Sequence, residues 1–157
     1  MPGAPTLVLA WRLGPLSLGT EVAAVAHVVE SLPVRGVPRA SPGIAGLAYY
    51  GERVLPVLDL PRFLLGETAH AWVEGAMYVI FQIDDRGYAA RVDKVMRIIP
   101  TTTDALVTWS RPPDHPAARF TRALLPVDGE QLWLIDVRRI DRHLRRRAGD
   151  PAARQGV

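Results

Sequence analysis

Residues 37–60 read Val-Pro-Arg-Ala-Ser-Pro-Gly-Ile-Ala-Gly-Leu-Ala-Tyr-Tyr-Gly-Glu-Arg-Val-Leu-Pro-Val-Leu-Asp-Leu. Two apolar runs, 44–50 and 53–58, flank Gly51-Glu52, which is the pattern of a β-hairpin with a glycine in its turn. Pro56 lies inside the second run and has no N–H to give a ladder, so it belongs at an edge or a bulge. Upstream, Pro33, Pro38 and Pro42 break any helix across 33–43. Downstream, Asp59 is placed to cap a helical turn over Leu60 to Leu65, with Pro61 tolerated in its first turn. Tyr49 and Tyr50 are adjacent, so on a strand they point to opposite faces. One of them belongs to the core. The other either anchors a partner or packs on its own domain.

The end of this stretch has an echo. Residues 57–63 read Val-Leu-Asp-Leu-Pro-Arg-Phe and residues 134–140 read Leu-Ile-Asp-Val-Arg-Arg-Ile. Each runs apolar, apolar, Asp, apolar, any residue, Arg, apolar. In each, a strand ends at an aspartate that can cap a helix, and Asp136 would cap a longer one, Val137 to Arg147. Two similar β subdomains, each closed by a strand and a helical turn, would leave this repeat behind. Both aspartates are read as caps.

Short strands fill the remainder. Leu7, Leu9, Trp11 and Leu13 alternate on one face of an extended segment, with Ala10 and Arg12 opposite. Gly14-Pro15 punctuates before Leu16 and Leu18 resume. Val22, Val25, Val28 and Val29 are spaced like a helical turn running into a strand. Met77 to Ile83 and Tyr88 to Val92 form a second hairpin across 84–87, where Asp84-Asp85 serves the turn. Lys94 to Ile99 is another strand. Ala123 to Val127 and Gln131 to Ile135 pair across Asp128-Gly129-Glu130. Residues 100–118, with four prolines, read as a long loop. Many short strands with frequent turns predict an all-β fold of small barrels with minor helices.

Composition narrows the function. The chain has 157 residues, 48% apolar and 22% charged, and no cysteine, which excludes disulfides, thiolate metal sites and thiol nucleophiles. No uncharged apolar stretch approaches the roughly 18 residues of a membrane span. The net charge of +3 is uneven. Six arginines fall within residues 138–147, and the chain before residue 138 is slightly acidic. Eighteen of the 19 basic residues are arginine, a bias of composition rather than of function. His27, His70, His115 and His143 are scattered without metal spacing. His27 reads as a half-buried structural residue and His115, among prolines, as solvated. No Gly-x-Ser-x-Gly elbow, phosphate loop or carboxylate pair in a cleft can be assembled, so the chain reads as non-enzymatic, without cofactor or metal.

The 37–60 stretch resembles the central motif of the CheW-like family, the adaptors of bacterial chemosensory pathways. That motif runs, in outline, Pro, Pro, apolar, Gly, an Arg-Gly turn, then Pro-Val-apolar-Asp-Leu. This chain supplies Pro38, Pro42, Ile44, Gly46, Gly51, Pro56, Val57, Asp59 and Leu60. Val22 to Val25 resembles the family's upstream segment, and Tyr88-Ala-Ala-Arg-Val-Asp93-Lys-Val95 its Val-Asp-x-Val segment. Leu132 to Leu144 resembles the closing strand and helix. The resemblance covers residues 6–144.

It implies two five-stranded, SH3-like barrels around a shared core with a C-terminal helix. The first barrel is expected over about 14–72. The second is expected over about 6–13 plus 73–144, and 145–157 is expected to be an Arg-rich, disordered tail. It implies a cytoplasmic scaffold, recruited to receptor arrays, that links the cytoplasmic tip of a chemoreceptor to the regulatory domain of a CheA-type histidine kinase. No small-molecule substrate, nucleic acid or direct membrane insertion is implied. The partner face is expected on the first hairpin, at Gly46, Leu47, Tyr49, Tyr50, Gly51, Glu52 and Arg53. Pro56, Asp59, Leu60, Asp93 and Asp136 are expected to be structural. A groove between barrels lined by Val25, Val28, Val92 and Val95 is weighed against their burial in the core.

One departure stands out. Neither register of the turn has the family's arginine: Gly51 or Tyr50 takes its place, and Arg53 is the nearest. His27 stands where the family commonly has an acid. If those two positions form an ion pair in the family, this chain has lost both halves, which costs less than losing one. A divergent member serving flagellar taxis, pilus motility or another chemosensory pathway fits, as does a decoy that binds one partner. The alternative from another class is a small β-barrel nucleic-acid binder using its basic C-terminal helix.

Overall fold

The computed structural model describes residues 3–147. The strands are β1 (Pro5–Leu13), β2 (Leu16–Glu21), β3 (Val25–Val29), β4 (Val34–Arg35), β5 (Ile44–Tyr50), β6 (Arg53–Leu58), β7 (Met77–Ile83), β8 (Arg86–Val92), β9 (Lys94–Thr102), β10 (Thr121–Val127) and β11 (Glu130–Ile135), followed by helix α1 (Val137–Arg147). They form a five-stranded sheet, β10-β11-β2-β1-β9, and a six-stranded sheet, β3-β7-β8-β6-β5-β4. The fold is all-β with minor helices, as the turn-rich sequence predicts. The extra strand in the larger sheet is β4, only two residues long.

The two sheets correspond strand for strand. In each, an antiparallel hairpin (β5–β6 or β10–β11) ends at an aspartate and a helical turn. Its second strand then pairs in parallel with a strand from elsewhere in the chain, β6 with β8 and β11 with β2. The chain is two consecutive units, each opening with a hairpin (β1–β2, β7–β8) that is built into the other unit's sheet. This exchange accounts for the sequence echo. It also corrects the expected division of the barrels. Residues 77–92 belong with the first hairpin, not the second, and 16–21 belong with 94–135. The expectation moved one strand across, whereas the structure moves two hairpins.

Exchange buries both faces of the swapped strands. Leu9, Trp11 and Leu13 enter the large core between the sheets, with Val79, Phe81, Leu58, Phe120 and Ile140. Val8 and Ala10, on the opposite face of β1, enter a second core inside the five-stranded sheet. Ala10 is therefore buried although it lies opposite the face of Leu9, Trp11 and Leu13, and Leu7, at the start of that face, is exposed. Strand β7 behaves alike, with Ile80 turned into the small core of the six-stranded sheet. Each fully buried side chain of this size contributes about 1.5–3 kcal/mol. The Trp11 indole N–H, which burial would otherwise leave unpaired, donates to Thr20 Oγ1 at 3.3 Å.

Residues 100–118 are more ordered than a loop. Strand β9 continues to Thr102, Val107 bridges Leu124, and Pro116–Phe120 forms a 3-10 turn with Ala117, Ala118 and Phe120 buried. His115 is half-buried rather than free in solvent: its Nδ1 accepts from the Ala117 N–H at 3.0 Å and its ring packs on Trp133. Both aspartate caps form. Asp59 Oδ1 accepts from Arg62 N–H at 3.3 Å and Asp136 Oδ1 from Arg138 N–H at 3.0 Å. The turn after Asp59 is a single π-type turn, Pro61–Leu65, closed by Gly66 in the left-handed region. Helix α1 includes Arg145, Arg146 and Arg147, which the sequence reading placed in the tail; residues 148–157 lie outside the described residues.

Candidate partner interface

The β5–β6 hairpin sets the candidate face. Its register pairs Gly46 with Val57, Leu47 with Pro56, Ala48 with Leu55, Tyr49 with Val54 and Tyr50 with Arg53. Strand alternation turns Ala48 and Leu55 into the small core. It leaves Tyr49 and Val54 side by side on the outer face, 42% and 53% exposed. Leu47 and Pro56, the next pair on that face, line an apolar groove of about 340 Å³ closed by Val37, Ile44 and Leu144. Exposed apolar pairs running into an apolar groove are the signature of a docking surface.

The expected site residues divide. Leu47 and Tyr49 lie on this face. Gly51, at φ +59, and Glu52 form the exposed turn. Gly46 is buried: a Cβ there would lie 2.6 Å from the Arg35 carbonyl oxygen, so glycine is required for β4 to pair closely along β5. Arg53 folds back on the sheet, donating to Gln82 Oε1 at 3.2 Å, and a Cβ on Gly87 would lie 2.8 Å from its Nη2. Tyr50 turns toward β3, where its hydroxyl meets His27 Nδ1. His27 itself is exposed, not half-buried as its apolar neighbourhood predicts. Pro56 lies one residue before the parallel ladder to β8 begins at Val57, rather than on an edge strand.

Val54 and Val37 complete the face and were missed by sequence reading. The signal for Val54 was available, since it is the cross-strand neighbour of Tyr49 once the two-residue turn is fixed. Val92 is fully buried, and Val25, Val28 and Val95 pack partly buried against the shared core, which favours their structural role.

Two polar clusters hold the frame. Asp141, on the buried side of α1, receives Arg86 Nε at 3.0 Å and Nη2 at 2.6 Å and the Tyr88 hydroxyl. Burial pushes its carboxyl up, but those partners outweigh burial and hold it below the usual carboxylate range. Burial, then the hydrogen bond to Asp141, pushes the Tyr88 phenol up to about 12. Arg138 reaches Asp84 in the same β7–β8 turn, so two arginines clamp the exchanged hairpin to the helix. In the second cluster, Asp93 Oδ2 accepts from Gly14 N–H at 2.7 Å and faces His70 Nε2 at 3.0 Å, while His70 Nδ1 meets Glu67 Oε2 at 2.8 Å. Burial lowers the imidazole's proton affinity, but hydrogen bonds to Glu67 and Asp93 outweigh it, leaving the His70 pKa raised. Leu60 is buried in the shared core. Among the described residues, no three histidine or carboxylate side chains are grouped to hold a metal, and no helix is long and apolar enough to cross a membrane.

A model of the CheW-like domain family matches residues 7–144. The fold is similar to the crystal structure of the scaffolding protein TtCheW from Thermoanaerobacter tengcongensis, with a TM-score of 0.74 at 18% identity, covering 86% of this chain and 89% of that one. No curated protein sequence matches the chain. With the family model spanning both sheets and the helix, the chain belongs to the CheW-like domain family.

Proposed function

We propose that the chain is a non-catalytic adaptor that couples the cytoplasmic tip of a chemoreceptor to the regulatory domain of a CheA-type histidine kinase. Family membership supports the adaptor role in general. The observation that carries the specific reading is the Tyr49–Val54 pair, with the adjoining Leu47–Pro56 groove. A rigid hairpin there presents aromatic and aliphatic side chains to a partner at low entropic cost. Two modest interfaces on one rigid module would place receptor and kinase together in the cytoplasm, at a membrane-associated array, without a new active site.

The helix arginines give little support to nucleic-acid binding. Arg138 is engaged by Asp84, and Arg139 by Asp136 and the Thr121 carbonyl.

The test is calorimetric titration of the protein against the regulatory domains of CheA-type kinases from its source organism. Saturable binding at micromolar concentration or tighter is expected. Tyr49→Ser and Val54→Ser should each weaken it by about tenfold, as loss of an interface anchor does. Both side chains are exposed, so their loss should leave stability nearly unchanged. Wild-type affinity in the Tyr49→Ser/Val54→Ser double variant would exclude this face. Absence of binding to every kinase would remove the coupling function.

A further inference from the structure

On the side of the molecule where α1 ends, three arginines from three elements converge on one cavity. Arg62 comes from the turn after β6, Arg119 from the Pro116–Phe120 turn and Arg147 from the last turn of α1. With His143, Phe63 and Phe120 they surround a space of about 220 Å³, and no carboxylate lines it. Among the described residues none of the three guanidiniums forms an ion pair, whereas Arg12, Arg86, Arg97, Arg122, Arg138 and Arg139 all meet carboxylates. Three like charges around one cavity repel each other, and an anion placed among them relieves that repulsion.

The floor is rigid and partly apolar. Phe63 and Phe120 meet edge to face at 5.3 Å, and the His143 ring stands against them at 5.8 and 5.6 Å. Arg119 lies over the Phe120 ring, its guanidinium carbon 5.7 Å from the centroid. Planar guanidinium forks match the oxygens of a tetrahedral phosphate, and three of them suit a dianion better than a single carboxylate.

We propose that this cavity binds a phosphate group, carried free or as the monoester of a small molecule. His143 reports on it. Burial, then the charges of Arg119, Arg147 and Arg146, holds its imidazole below the ordinary value. The charges acting on the ring are all cationic and Arg62 lines the same cavity, so a bound dianion reverses the local field and raises the His143 pKa.

The experiment follows the His143 ring resonances of the full chain by NMR through a pH titration. It is run with sodium phosphate, with adenosine monophosphate, and with sodium chloride alone at matched ionic strength. Saturable shifts with phosphate or the nucleotide and an upward move of the His143 pKa, absent with chloride, are expected. Tighter binding of the nucleotide identifies an ester as the ligand, and equal or weaker binding identifies free phosphate. Arg119→Ala and Arg147→Ala should each weaken binding by about tenfold, the loss of one charge-assisted contact. All three arginines are exposed, so circular dichroism should show their variants folded. The proposal fails if chloride gives the same response or if nothing saturates. It also fails if the Arg62→Ala/Arg119→Ala/Arg147→Ala variant binds as wild type, or if only a polyanion such as a DNA duplex binds.

Discussion

The Tyr50 hydroxyl meets Nδ1 of His27, joining the end of β5 to β3 although the two strands are not neighbours in the sheet. The rings are also in contact, with centroids 5.6 Å apart. Of the two registers that the altered turn allows, this contact favours the one that sets Tyr50, rather than Gly51, in place of the family's arginine. If the family's residues pair there by charge, a neutral aromatic pair makes the link here. A single hydrogen bond of this kind contributes about 0.5–1.5 kcal/mol. Tyr50→Phe should therefore lower unfolding stability by that amount in urea melts. A cycle with His27→Ala should show coupling of about 0.5 kcal/mol or more. Strict additivity would mean that the contact does not hold the strands together.

Asp141 ties the helix to the β7–β8 hairpin. Its carboxylate accepts from Arg86 and Tyr88, and its side chain is 4% exposed. Asp141→Ala strands a guanidinium that is itself partly solvated, so the cost should lie near the low end of the range for a broken buried pair, about 3 kcal/mol. The sign of the pH effect follows from the lowered carboxyl pKa. The contribution is fully present above the unfolded value, about 3.9, and is lost as pH falls through the lower folded value. Thermal melts between about pH 5 and pH 2 should show a steeper loss in wild type than in Asp141→Asn.

His70 works in the opposite direction. Its pKa is raised by Glu67 and Asp93 against burial. Its contribution is fully present below the unfolded value of about 6.5 and is lost as pH rises through the higher folded value. His143, with a lowered pKa, favours folding as pH rises over the neighbouring range, so the two partly cancel in the wild type. The difference between wild type and His70→Gln isolates the first. That difference should shrink from pH 6 to about pH 9, and a constant difference would exclude the charged bridge.

What could be read from the sequence was whatever depends on neighbours in the chain. The hairpin at Gly51-Glu52, the aspartate caps and the start of α1 all follow from turn chemistry and periodicity over a few residues. What could not be read was pairing between distant segments. Residues 77–92 have the same pattern whichever sheet they join, and nothing local assigns β7 to β3 or β2 to β11. The consecutive apolar residues Val8, Leu9, Ala10 and Trp11 did carry a sign of two-sided burial, because a strand with one wet face alternates more strictly. At the interface the same division holds. Tyr49 was found as one of two adjacent tyrosines, while the burial of Gly46 comes from β4, twelve residues away at Val34.

Glycines in and near the hairpin give the sharpest contrast. Gly43 has φ +98, and a Cβ there would lie 2.4 Å from Phe63 Cζ and 3.1 Å from Leu144 Cδ2. Its carbonyl also accepts from Asp59 N–H at 2.8 Å, tying the start of β5 to the end of β6. Phe63 is buried in the shared core and cannot move aside freely. Gly43→Ala should thus combine a left-handed backbone penalty of about 1–2 kcal/mol with overpacking of about 1–3 kcal/mol. Gly51 has φ +59 and open space around it, so Gly51→Ala should show only the backbone penalty, about 1–2 kcal/mol. Gly46 is extended, and its obstacle is the Arg35 carbonyl, so Gly46→Ala should displace β4 and raise amide exchange at Val34 and Arg35. Denaturant melts of the three variants should rank Gly43→Ala as more damaging than Gly51→Ala. The reverse order would mean that the turn, rather than the packing of the 43 position against Phe63, limits the stability of this half of the molecule.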